Sequence, residues 1–386
     1  MKILLYDMGA YTQNDITDTL AKMGIEYKNV LYRLCNVTQD AYFTKRMTEL
    51  LHSDRYDAVF SVNYYPVLAD ICHTLQILYL SWSYDSPLDY AAMEETLGYE
   101  TNYVFLFDGA ECRKLQKKGY TNVFHLPLAV NTERLAGIIS TEKEREKYET
   151  DISMVGQLYE STLSTLMLPL SEYDKGYLTA IAETQLQLYG CYYLEEVITK
   201  ELTARMNTAY RNMGQNNLTL TRQGLINAVA KHITNAERVL LLDILSEQYR
   251  VTLYGPDRDQ NLPRVNWRGS AGYFDEMPQI FRCSKINLNI SLKCIQSGIP
   301  LRALDIMGCG GFLLTNYQQE IDESFVDGEE VVMYTSIADA VAKCRYYMEH
   351  DEERRIIAQN GYKKVKALFG FEERLRTMFQ TAGLLL

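Results

Sequence analysis

The sequence predicts an α/β protein of two doubly wound parallel-sheet domains that face a cleft, the second carrying a helical insertion. Three observations support this. At 386 residues the chain exceeds the size at which one hydrophobic core usually stops growing, so two domains are expected. Short runs that are apolar throughout alternate with helical patterns, as parallel strands covered on both faces require. A charged stretch at 131–150, with Glu142-Lys143-Glu144-Arg145-Glu146-Lys147 inside it, separates two such alternations and reads as a surface helix or linker.

Residues 2–6 are an apolar run ending in Asp7-Met8-Gly9-Ala10, after which Ile16, Leu20 and Met23 fall at helical spacing. That is a strand, a glycine-containing turn and a helix. The runs 58–62, 77–82, 103–107 and 123–126 supply further strands, with a helical pattern at 110–118. Residues 1–150 are expected to form the N-terminal domain. Ile152-Ser153-Met154-Val155-Gly156 opens the second domain, 151–386. From about 160 to 245 good helix formers dominate, and this segment reads as the helical insertion. Strand and helix then alternate through 251–254, 265–267, 286–290, 311–314 and 331–334, and helices close the chain. Ligands of such folds bind beyond the carboxyl ends of the strands.

Composition narrows the function. A formal charge of −11 argues against a general nucleic-acid binder, which must neutralise phosphates with Lys and Arg, and against adhesion to anionic lipid. It leaves room for one nucleotide held by a local cluster of donors. No stretch approaches the length of a membrane span, and the apolar start is too short for a signal peptide. The eight cysteines are scattered without a CxxC pair. A cytoplasmic protein is expected. The 30 tyrosines, against 12 phenylalanines, read first as core residues with a polar tip.

The segment 287–311 is the richest in chemistry. A buried strand carrying Asn289 ends in a polar loop with Ser291, Ser297 and Gly298, and Pro300 suits the start of a helix. The free N–H groups of that start, with the helix dipole, make a seat for a diphosphate. Arg302 can add a bidentate guanidinium, and Asp305 can accept both hydrogen bonds of a ribose diol. Three residues apart, Arg302 and Asp305 can equally form a helix-surface ion pair.

This segment resembles the nucleotide-binding region of GT-B glycosyltransferases, in particular the group related to spore maturation protein CgeB. Trp82-Ser83-Tyr84-Asp85-Ser86-Pro87, Phe105-Leu106-Phe107-Asp108, Leu126-Pro127-Leu128-Ala129-Val130-Asn131 and Ser153-Met154-Val155-Gly156-Gln157-Leu158-Tyr159 resemble landmarks of the same group. The resemblance implies two Rossmann-like domains, a nucleotide-sugar donor in the C-terminal one, a glycan or protein acceptor in the N-terminal one, and neither metal nor cofactor. The donor-side set is Tyr254, Gly255, Arg268, Asn289, Ser291, Ser297, Gly298, Arg302 and Asp305. Many retaining members carry two glutamates eight positions apart; here Asp305 stands in the second place and Ser297 in the first, so retention or inversion stays open.

On the acceptor side, Asp85 follows a strand and can act as general base on a hydroxyl, or cap a turn, since Asp-Ser-Pro is good turn chemistry. Asp7 and Gly9 occupy the first strand-to-helix turn, and His125 precedes Pro127 near the cleft. Asp108 reads as a helix cap. No two histidines have metal-ligand spacing, and no HExxH, GxSxG or P-loop occurs. A non-catalytic nucleotide- or sugar-binding protein, and an epimerase or phosphorylase of the same architecture, are the alternatives.

Overall fold

The computed structural model describes residues 1–88, 93–215 and 217–384. It divides into two compact units. The first comprises 1–134, 297–304 and 364–386, and the second 135–296 and 305–363.

The first unit holds a six-stranded, wholly parallel sheet in the order β2-β1-β3-β4-β5-β6. Its strands are β1 (Lys2–Asp7), β2 (Glu26–Leu31), β3 (Ala58–Val62), β4 (Leu78–Ser83), β5 (Asn102–Leu106) and β6 (Val123–His125). β3 is buried throughout and β1 and β4 along most of their length, which explains why their sequences are continuously apolar and do not alternate. β2 is an edge strand, exposed except at buried Val30 and half-buried Tyr27. Because it buries so little, Glu26-Tyr27-Lys28-Asn29 carries no apolar signal, and the sequence reading missed this strand. The final helix, Phe371–Thr381, belongs to this unit. Val130 N donates to Phe369 O at 2.9 Å, Arg374 Nε to Pro127 O at 3.1 Å, and the Phe371 ring meets Trp82 edge-on.

The second unit holds a six-stranded parallel sheet in the order β12-β11-β10-β7-β8-β9. These strands are β7 (Thr150–Val155), β8 (Val251–Tyr254), β9 (Asn266–Trp267), β10 (Ser284–Asn289), β11 (Leu313–Asn316) and β12 (Val332–Tyr334). The segment expected to be a helical insertion is helical, with helices Leu163–Met167, Glu172–Gln187, Leu194–Val197, Lys200–Asn212 and Arg222–Ser246. The last of these is not wholly an insertion. Leu225, Ile226, Val229, Ala230 and Ile233 face a satellite core shared with the other helices, whereas Leu241, Leu242 and Leu245 join the core of the sheet. One helix of 25 residues thus serves as the β7-to-β8 crossover and as the anchor of the added helices. Among the described residues no helix is long and apolar enough to cross a membrane.

Candidate active site

Each sheet reverses its strand order once, and ligands in open parallel sheets bind at the carboxyl ends beside that reversal. In the first unit it lies between β1 and β3, in the second between β7 and β10. The sequence-predicted residues are distributed unevenly about these two places.

In the first unit Asp7 ends β1, and its carboxylate accepts from Gly9 N at 2.7 Å and from Asn29 Nδ2 at 3.3 Å. Gly9 has φ +92, a left-handed value that glycine adopts without strain. Asn63, directly past β3, also has positive φ (63), a conformation Asn tolerates better than most residues. Its amide nitrogen donates to Asp85 Oδ2 at 2.7 Å, and its oxygen accepts from Tyr84 N at 2.7 Å and Asp85 N at 3.3 Å. Asp85 is thereby held by a residue from the loop after the neighbouring strand while remaining exposed. Tyr65, mostly buried, is pushed up to about 12 by that burial and then by the negative charges of Asp85 and Asp7, so its phenol keeps its proton beside them. Asp7 ends β1 and Gly9 follows it, and Asp85, past β4, reaches the reversal through Asn63 beyond β3. His125 does not: it ends the edge strand β6, exposed, with β4 and β5 between it and β3. Asn63 and Tyr65 escaped the sequence reading, which had no signal for a left-handed Asn or for a charge pair converging on one phenol.

Ser297 and Gly298 lie in the first unit. Ser297 Oγ donates to Asp108 Oδ1 at 2.8 Å, Ser297 N donates to the same oxygen at 3.2 Å, and Ala110 N donates to Ser297 Oγ at 2.8 Å. Asp108 also accepts from Ala110 N at 3.1 Å and so caps the helix Gly109–Lys117 as expected. Ser86 Oγ bridges Asp108 Oδ2 at 3.3 Å and Glu111 Oε2 at 2.8 Å. Asp108, Glu111 and Ser297 are all buried. A Cβ at Gly298 would stand 2.9 Å from Asp108 Cα and from Phe107 O, so the close approach that requires glycine there is to the chain's own backbone.

In the second unit, Asn289 at the end of β10 donates to Thr315 Oγ1 at 2.9 Å, and Ser291 N donates to Asn316 Oδ1 at 2.7 Å. Tyr254 ends β8, buried, its phenol raised mainly by that burial and lowered by the nearby Arg268 charge. Arg268, exposed just past β9, donates to Lys147 O at 3.4 Å. A Cβ at Gly255 would fall 2.3 Å from Gly156 O, which explains the glycine where the loops after β7 and β8 touch. The helix Leu301–Gly308 carries Arg302, which belongs to the first unit, and Asp305, which belongs to the second. Asp305 is 4% exposed and accepts from Tyr273 Oη at 3.2 Å, which removes it from the solvated surface of that helix. Tyr273, from the loop before the helix Glu276–Cys283, was not foreseen.

At the β7–β10 reversal stands another unforeseen pair, Glu237 and Arg238 of the long helix. Arg238 donates to Gln157 O past β7 and to Ile290 O past β10, with its guanidinium 5.0 Å from the Tyr159 ring centre. Glu237, fully buried, accepts from Tyr189 Oη at 2.8 Å and Tyr334 Oη at 3.0 Å and pairs with Lys293 Nζ at 2.8 Å. Burial, and after it the Glu237 charge, raises both tyrosines, so they remain donors.

Paired parallel sheets of this kind are found in solved glycosyltransferases. The fold is similar to that of Anabaena Alr3699/HepE solved in complex with UDP-glucose, at 11% identity over 100% of both chains and a TM-score of 0.61. The chain has the GT-B fold. Sucrose-phosphate synthase (tll1590) from Thermosynechococcus elongatus shares it at 11% identity, over 99% of this chain and 98% of that one, with a TM-score of 0.59. So does WaaG, a glycosyltransferase involved in lipopolysaccharide biosynthesis, at 11% identity over 98% and 99% with a TM-score of 0.53. Residues 236–380 match the family described as glycosyl transferase-like, a span that takes in every donor-side candidate. It begins where the helix Arg222–Ser246 passes from the satellite core to the sheet core. No curated protein matches the chain.

Proposed function

We propose that the protein is a glycosyltransferase of the CgeB-like group, a hexosyltransferase acting from a nucleotide sugar on a glycan or protein acceptor, without metal, in the cytoplasm. The observation that supports it best is Asp305, a nearly buried carboxylate with a tyrosine hydroxyl at 3.2 Å, on a helix that follows the loop beyond β10. An ionised carboxylate only accepts hydrogen bonds, and a ribose diol supplies two donors. The similar fold of Alr3699/HepE, solved with UDP-glucose, favours a nucleotide sugar as the ligand.

In the proposed reaction the bond between the anomeric carbon and the diphosphate oxygen breaks, and the nucleoside diphosphate leaves with the electron pair. A new bond forms from the anomeric carbon to an acceptor hydroxyl oxygen. Asp85 takes the proton of that hydroxyl as general base, fixed by Asn63 and within the field of a neutral Tyr65. Arg302 and the N–H groups at the start of the helix Leu301–Gly308 stabilise the leaving diphosphate, the work a metal does elsewhere.

A second reading, a nucleotide-binding protein without transfer, is favoured by one observation: Ser297, in the place of a family glutamate, is buried against Asp108. A panel of nucleotide sugars screened by thermal shift in EDTA tests the common core of both, since a ligand selective for the folded state raises its apparent stability. No shift with any of them would sink both readings.

A further inference from the structure

The long helix Arg222–Ser246 buries a stripe at helical spacing, and every position of it near the middle is apolar or small except Glu237 and Arg238. Burying this charge costs more than burying a leucine in the same place. An apolar pair would have joined the two cores, but it could not have satisfied the buried carbonyl group of Ile290, which needs a donor. The charged pair sits on the loops that follow β7 and β10, the two strands between which the sheet order reverses.

The loop 290–296 is tied to this one helix at three points. Arg238 holds Ile290 O, Thr234 Oγ1 accepts from Lys293 N at 3.0 Å, and Glu237 pairs with Lys293 Nζ at 2.8 Å. The Lys293 ammonium also stands 4.2 Å from the Tyr189 ring centre, a cation–π contact strengthened by burial. On its other side the loop is held by Asn316 to Ser291 N at 2.7 Å and by Gln318 Nε2 to Ile295 O at 3.3 Å. A loop fixed in this way before a ligand arrives has little ordering entropy left to lose on binding.

We infer that Glu237 and Arg238 are positioning residues that hold the 290–296 loop in its nucleotide-binding form. The inference rests on the donor site proposed above. Neither residue needs to touch the nucleotide; each acts through main-chain and lysine atoms of the loop.

The test uses the full-length chain in EDTA, with UDP, GDP, ADP and TDP titrated by calorimetry well below the melting temperature. Arg238→Lys keeps the charge but cannot span two carbonyl groups, and its affinity for the nucleotide that binds wild type should fall about tenfold. Amide exchange of the ligand-free variant should rise in 290–296 and 156–159 more than in the rest of the unit. Tyr189→Phe, which leaves both charges and removes one donor to Glu237, should weaken binding about threefold and decides the matter if the first variant does not fold. Folded variants that melt earlier yet bind as tightly as wild type would overturn the inference alone. Wild-type protein that binds none of the four nucleotides overturns the donor-site reading, and the inference falls with it.

Discussion

The side-chain amide of Asn63 donates to the carboxylate of Asp85 at 2.7 Å, joining the loops that follow the adjacent strands β3 and β4. The bond fixes an exposed carboxylate that would otherwise sample several rotamers. If Asp85 is the base, Asp85→Asn should leave nucleotide affinity and melting temperature near wild type and lower turnover by about 10²–10⁴. Asn63→Gly keeps the left-handed backbone available while removing the amide, and should lower turnover with little loss of stability. Asn63→Ala adds a backbone penalty of about 1–2 kcal/mol, so it should also melt earlier. An Asp85→Asn enzyme that melts early but turns over normally returns Asp85 to a turn role.

Asp305→Asn should weaken nucleotide binding about tenfold or more, because hydrogen bonds to a charged group are worth roughly 1.5–3 kcal/mol. Tyr273→Phe removes the 3.2 Å donor without changing charge and should cost less. Isothermal titration of both variants checks the order; equal affinities in wild type and Asp305→Asn would exclude a ribose contact.

The strand β10 and the helix that carries Asp305 were legible because their signal is local: an apolar run, a glycine-bearing loop and a proline before a helix. The apolar strands were legible for the same reason. Glu237 and Arg238 were not, since their partners lie 48 to 97 positions away along the chain in Tyr189, Ile290, Lys293, Gln157 and Tyr334, and a charged pair on a helix reads as a solvated face. Ser297 shows a different limit. Its place in the loop after β10 was legible, but its bond to Asp108, 189 positions away, depends on packing that no local pattern encodes.

Ser297→Glu should fail to fold or melt far below wild type. It would push a third carboxylate against the buried Asp108 and Glu111 and cost several kcal/mol. Ser297→Ala should fold and lose about 1–3 kcal/mol by stripping a donor from Asp108. Chemical denaturation of the two variants measures this; a Ser297→Glu protein as stable as wild type would show that the pocket at Asp108 opens readily.

Two glycines separate packing from propensity. Gly255→Ala places a Cβ 2.3 Å from Gly156 O and should destabilise by about 1–3 kcal/mol. Gly176→Ala, in the middle of the helix Glu172–Gln187 with nothing within 4 Å, should stabilise by about 0.5–1 kcal/mol. Thermal melts of both variants are sufficient.

Arg205 holds Asp174 below the ordinary carboxylate range by a hydrogen bond at 2.8 Å. A carboxylate whose folded pKa is lowered adds stability that is present above its unfolded value, about 3.9, and is lost as pH falls through the lower folded value. Arg205→Met should therefore flatten the acid limb of the stability curve below about pH 4 and shift the neutral plateau down. Denaturation midpoints between pH 2 and 7 would show it; parallel curves for the two proteins would contradict it.

The most direct measurement is release of nucleoside diphosphate from a panel of nucleotide sugars in excess EDTA, with wild type and Asp305→Asn side by side. The account predicts that at least one donor is split by wild type without metal and that the variant needs a much higher concentration of the same donor. Tight binding without any release, with or without a sugar acceptor, or release that appears only when Mg²⁺ or Mn²⁺ is added, would contradict it.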